Sequence, residues 1–261
     1  MRKFWKIAGS ILILAVAIGG FFFWRNSQSL PEPKNIGDAT IVPAPVQNNN
    51  QTQPQAAGNN TNNIATAPAS APLPSKVLIN VPFTTQAPLG VWDAYHEEAC
   101  EEASLIMIKY YLDKKPLTPN VAEQEIQSMI AFEIKTYGDY KDTNAQQNVH
   151  LAADFYGIHN LKVVYDITKD DLKKQLALGK PIIVPAAGQL LGNPNFTPPG
   201  PVYHNLVLVG YDGNTIIAND PGTRNGQNYR YNIDTLYNAI HDYPGPNQDI
   251  TTGRKAMIII Q

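Results

Sequence analysis

The chain has 261 residues, a formal net charge of −2 and a single cysteine, Cys100. That charge balance excludes the basic stripe on which nucleic-acid binding depends, and one cysteine excludes an internal disulfide. What remains is a protein with one thiol to account for and more length than a single core of ordinary size requires.

The first residues, MRKFWKIAGSILILAVAIGGFFFWRN, set Arg2, Lys3 and Lys6 ahead of an uncharged run from Ile7 to Trp24. At ~1.5 Å per residue the run reaches roughly 27 Å, close to the hydrocarbon thickness of a bilayer. Trp5 and Trp24 stand at its ends, where amphipathic rings favour the interface. The exit, Phe21 to Arg25, lacks the small-x-small pattern of a cleavage site. The expectation is a cytoplasmic N-terminus at 1–6, a transmembrane signal anchor at 7–24, and the rest of the chain on the extracytoplasmic side of the cell membrane. A cleaved signal peptide is the alternative, and it also exports the domain.

Residues 25–75 are rich in Asn, Gln, Pro and Ala, and no charged residue occurs between Ala39 and Ser75. Such a segment buries too little apolar surface to offset its ordering entropy, so a disordered linker is expected. Residues 76–261 then form one domain. KVLINVPF is β-like and leads into the loop TTQAPLGVWDAYH. From Glu97 to Leu112 the apolar residues Ala99, Ala103, Ile106, Met107 and Tyr110 recur at helical spacing. VAEQEIQSMIAFEI and TNAQQNVHLAADFYG give two more helices, the second closed by Gly157. NLKVVYDI predicts a strand. Thr168 to Leu178 predicts a helix with Thr168 and Asp171 as a cap pair. PIIVPA is a strand. The loop from Ala187 to Pro201 follows and is expected to flank a cleft. VYHNLVLVGYD and TIIANDP form a hairpin about Asp212-Gly213-Asn214. QNYRYNI, IDTLYNAIH and RKAMIII read as strand, helix and closing strand. Helices first and a largely antiparallel sheet second is the α+β pattern.

The stretch HEEACEEAS, His96 to Ser104, holds the thiol. His96 and Cys100 are four apart and would share a helix face, as a metal pair does. Zinc needs three or four ligands, and no further Cys or spaced His pair supplies them, so neither metal nor cofactor is expected. The nucleophile reading asks for a thiolate near a helix N-terminus, a base, and a group that orients the base. His204, in VYHNLVLVGYD, and Asp220, in TIIANDPGT, are brought toward each other by the hairpin. The backbone N–H of Cys100 supplies one oxyanion donor, and the side-chain amide of Gln86 is the candidate for a second. Taken singly, Cys100 also fits a buried small residue, His204 a sheet histidine and Asp220 a turn residue.

Together, VPFTTQAP, ACEEASLIM, YHNLVLVGYD and NDPGT resemble the papain-like cysteine peptidases. More narrowly, they are similar to the bacteriocin-processing (double-glycine leader) peptidase family. The resemblance covers roughly Leu78 to Ile260. It implies N-terminal helices packed on an antiparallel sheet, with Cys100 as nucleophile, His204 as general base and acid, Asp220 as orienter and Gln86 as oxyanion donor. The substrate class it implies is a peptide or protein. Two features depart from the pattern. Glu101 and Glu102 follow the cysteine where relatives often carry a small pair such as Gly-Pro, and Gln86 stands further upstream than usual. Glu97, Glu98, Glu101 and Glu102 favour a helix N-terminus yet disfavour a thiolate beside them. Two further readings stay open: a binding module for peptide or cell-surface polymer on the same fold, and an amidase or transpeptidase using the same residues. Trp92 either lines a substrate pocket or anchors its loop to the core, and the anchor is favoured. Tyr203 and Asn205 are expected to face away from His204.

Overall fold

Nine consecutive residues at the start of one helix, Cys100 to Ile108, are buried, and the other elements are arranged around them. The computed structural model describes residues 72–261. The expected membrane span at 7–24 and nearly all of the linker lie outside the described residues. Among the described residues no helix is long and apolar enough to cross a membrane.

The first strand, β1, is short, Lys76–Leu78. A single 3-10 turn at His96–Glu98 precedes helix α1, Cys100–Asp113. The sequence pattern predicts one helix from Glu97; instead the chain breaks at Ala99, whose φ/ψ of −89° and 29° are not helical. Helix α2 runs Pro119–Tyr137 and starts as its sequence dictates, with Thr118 capping Val121 N–H and proline in the first turn. Helix α3, Ala145–Tyr156, opens on a reciprocal capping box between Asn144 and Gln147 and ends at Gly157 in the left-handed region. Strand β2 is Leu161–Tyr165 and helix α4 is Lys169–Ala177, the latter opened by the predicted Thr168–Asp171 box. Strands β3, Ile182–Ala187, and β4, Tyr203–Asp212, are separated by a loop containing a 3-10 turn. Strands β5, Thr215–Asn219, and β6, Tyr229–Asn232, lead into helix α5, Ile233–Ala239. The last strand, β7, is Ala256–Ile260.

All seven strands join one antiparallel sheet in the order β2-β7-β3-β4-β5-β6, with β1 also paired to β4. Both β1 and β5 pair with Gly210 to Asp212, so they must lie on opposite edges of β4. Strand β1 therefore continues the edge that β3 occupies further along. It approaches closely at Gly210, where a Cβ would stand 2.2 Å from the Val77 carbonyl oxygen. Nearly every residue of β4 is buried, which fits a continuous apolar run bounded by elements on both faces. Leu105, Ile106, Met107 and Ile108 of α1 enter a core shared with Leu206, Val207, Leu208 and Val209 of β4. The architecture is α+β, as the order of elements predicts.

Candidate active site

Three sequence-predicted residues, Cys100, His204 and Gln86, line one cavity of about 910 Å³. Cys100 is the first residue of α1, and no side chain caps that helix end. Its first-turn N–H groups therefore point out of the helix without intrahelical partners. His204 is the second residue of β4, and Asp220 follows the last residue of β5. The β4–β5 register pairs Val207 with Asn219, so Asp220 is not directly across from His204 but reaches it from the turn beyond the strand.

His204 Nε2 lies 2.8 Å from Asp220 Oδ1, with both residues almost wholly buried. An ionised carboxylate only accepts, so Nε2 carries the hydrogen and Nδ1 is left as the acceptor. Asp220 Oδ1 also accepts from Gly222 N–H at 2.9 Å. Its other oxygen accepts from Asn193 Nδ2 at 3.0 Å and from the Tyr231 hydroxyl. Burial pushes the Asp220 carboxyl up, but the His204 imidazole and the donors from Tyr231 and Gly222 outweigh it and hold the group below its ordinary value. Phe196 packs edge-on against the imidazole at 5.4 Å between ring centres.

Cys100 stands differently. Among the hydrogen bonds of the described residues, none joins it to His204. Its thiol donates instead to Glu101 Oε2 at 2.9 Å. Glu101 Oε1 accepts from Thr143 N–H at 3.0 Å. Burial, and then the charge of Glu101, raise the thiol well above its ordinary value, while the Asn205 backbone N–H pulls the other way. Burial also raises Glu101, to about 7. Glu102 lies deeper still. Burial and the neighbouring Glu133 push it well up, and Glu133 is itself raised to about 7 by burial.

Gln86 does not have the hydrogen bonds expected of an oxyanion donor. Its Nε2 donates to the carbonyls of His96 at 2.8 Å and Glu97 at 3.0 Å, and the atom left buried without a partner is Oε1, an acceptor. The amide braces the turn before Cys100. Gln86 N–H also donates to Pro221 O at 3.0 Å, which ties this loop to the turn that carries Asp220. His96 precedes α1 and shares no helix face with Cys100. Its Nδ1 pairs with Asp93 at 2.8 Å and its Nε2 with Glu123 at 3.1 Å. Trp92, expected as a core anchor, is 39% exposed and lines the cavity.

The loop between β3 and β4 contributes Asn195, Phe196 and Thr197 to the cavity wall. Tyr203 donates to Thr143 O and also lines the cavity. Glu97, Glu98 and Asp142 put acidic groups on the cavity lining, to which Arg224 also belongs. Burial and Asp142 raise the Glu98 carboxyl. Sequence reasoning missed Asn193 and Tyr231, the two side chains that hold the second oxygen of Asp220. Neither belongs to a motif, and the only available signal was the length of the proline-rich loop in which Asn193 lies.

The family model described as the Peptidase_C39 like family matches residues 78–244. Among solved structures, the chain is similar to a C39-like peptidase from Bacillus anthracis at 17% identity and a TM-score of 0.43, covering 71% of this chain and 98% of that one. It is also similar to a fragment of prointerpain A from Prevotella intermedia at 13% identity and a TM-score of 0.44, covering 71% of this chain and 72% of that one. No curated protein matches.

Proposed function

The chain belongs to the Peptidase_C39 like family, and from that premise we propose that it is a cysteine peptidase acting through Cys100, His204 and Asp220. The observation that carries this reading is the buried His204–Asp220 pair, 2.8 Å apart, with its imidazole on the same cavity as Cys100. Cys100 gives its proton to His204 Nδ1, and the sulfur attacks a peptide carbonyl carbon. The oxyanion is met by the free N–H groups at the start of α1, Cys100 N–H among them. Asp220 keeps the ring in the tautomer that leaves Nδ1 open. His204 then protonates the departing amine, the thioester remains, and water attacks it with His204 again taking the proton. For location, the apolar run at 7–24 supports attachment to the cell membrane with the domain on the extracytoplasmic side, facing peptide or protein substrates.

The test is cleavage of a mixture of unstructured peptides, read by mass spectrometry, alongside iodoacetamide labelling of Cys100 across pH. Cys100→Ala abolishes cleavage. His204→Ala lowers it by ~10³-fold or more, and Asp220→Asn by ~10²- to 10⁴-fold. An added amine acceptor distinguishes hydrolysis from acyl transfer. The bond from Cys100 to Glu101 favours a second reading, a non-catalytic peptide-binding module. Absence of cleavage, with labelling that ignores His204, would establish it in place of the peptidase.

A further inference from the structure

Glu101 is an unusual neighbour for a nucleophile. It is 3% exposed, directly follows Cys100, and uses both oxygens, one on the thiol and one on Thr143 N–H. The charged and titratable groups around it are Cys100 and Glu102 on its own helix, Asp142 from the loop before α3, Tyr203 from β4 and Tyr243 from the segment before β7. Among the described residues no lysine or arginine forms a salt bridge with it. A carboxylate so placed stabilises the neutral thiol, whose hydrogen it accepts, and opposes the thiolate, whose charge it repels.

We propose that Glu101 is a positioning residue that holds Cys100 in a resting thiol state, its hydrogen given to Glu101 and not to His204. This rests on the reading of Cys100 and His204 given above. Thr143 N–H fixes the carboxylate, so the thiol cannot draw Glu101 along when it leaves. Release of the sulfur toward His204 breaks one hydrogen bond and carries the S–H proton to Nδ1; no oxidant or further reactant is involved. Protonation of Glu101, which lies near 7, turns it from acceptor to donor and removes the repulsion. The cysteine is thereby sensitive to pH through a group other than itself and its base.

The experiment uses the full-length protein and follows the rate of iodoacetamide labelling at Cys100 from pH 5 to 10, for wild type, Glu101→Gln, His204→Ala and the double variant. Gln keeps an oxygen for Thr143 N–H and removes the charge. The expected result is a lower labelling midpoint in Glu101→Gln and a rate at pH 7 about tenfold above wild type, equal to one pKa unit. An unchanged midpoint overturns the proposal. A slower rate also overturns it, because Glu101 would then be the proton acceptor. If Glu101→Gln accelerates labelling while His204→Ala changes nothing in either background, the resting role stands and the catalytic base falls. Wild type supplies a second measurement, the carboxyl ¹³C titration of Glu101 by NMR. Its midpoint moves when Cys100 is alkylated if the thiol is bonded to it, and stays fixed if it is not.

Discussion

At the scale of single residues, the site depends on how tightly His204 is confined. Asp220 holds one ring nitrogen, Phe196 covers one side, and Gly222 comes close to the rest. A Cβ on Gly222 would stand 2.8 Å from Phe196 Cε1 and 3.0 Å from His204 Cε1. Gly222→Ala is therefore expected to push the ring out of line while leaving Asp220 and the core in place. Displacement near 1 Å lowers rates by roughly 10²-fold, and the shift needed at His204 is smaller, so the loss is expected to lie within that bound. Peptide hydrolysis and the His204-dependent part of Cys100 labelling should both fall, with a change in melting temperature of only a few degrees. The residues of the site that were legible in the sequence were those bearing chemistry in a recognisable order, Cys100, then His204, then Asp220. Gln86 was legible as a residue but not in its bonds, because its amide is claimed by carbonyls that only the 3-10 turn exposes. For Trp92 the sequence allows either a pocket wall or a loop anchor, and its loop leaves it on the cavity. Asn193 and Tyr231 act on Asp220 from 27 and 11 residues away in sequence, and no local pattern encodes that meeting.

At the scale of elements, helix caps were the most readable feature. Thr168 with Asp171, and Gly157 after α3, occupy the positions their side chains predict. The start of α1 was not readable. Its apolar spacing extends through Ala99, but the turn there is set by contacts of His96 with Asp93 and Glu123 and of Gln86 with the turn's carbonyls, none of which enters a periodicity. The acidic residues also divide unexpectedly. Glu97 is exposed, whereas Glu101 and Glu102 are buried with the rest of the helix start. At its other end α1 stops on Lys114 in the left-handed region, with φ 55° and ψ 37°. A lysine there carries a steric penalty that glycine does not. Lys114→Gly is expected to raise stability by about 0.5–1 kcal/mol, measured as the urea midpoint, and to leave thiol labelling at the wild-type rate.

At the scale of the whole molecule, the buried carboxyls set how stability responds to pH. Glu133 in the folded state lies near 7, above its ordinary value of 4.5. Between those values the folded protein binds more protons than the unfolded chain, so stability is full below about 4.5 and falls as pH rises toward 7. The size is on the order of 3 kcal/mol for a shift of this width, and Glu101 and Glu102 act in the same direction. Asp220 acts oppositely, because its depressed value adds stability that is lost in acid. Urea midpoints from pH 4.5 to 8 should decline in wild type and decline less in Glu133→Gln; an equal slope in both would assign the decline to other groups. The sheet has one more consequence, which concerns time. Strand β1 pairs with residues more than 130 positions later, and β7, the last strand of the chain, lies between β2 and β3. Closing such loops precedes the contacts that reward them, so folding of this topology is intrinsically slow. A growing chain presents its thiol long before β4 supplies the imidazole, and the sheet that seats that imidazole stays open until its final strand has been made. Of Cys100, His204 and Asp220, the nucleophile is thus the first to be synthesised and one of the last to be armed.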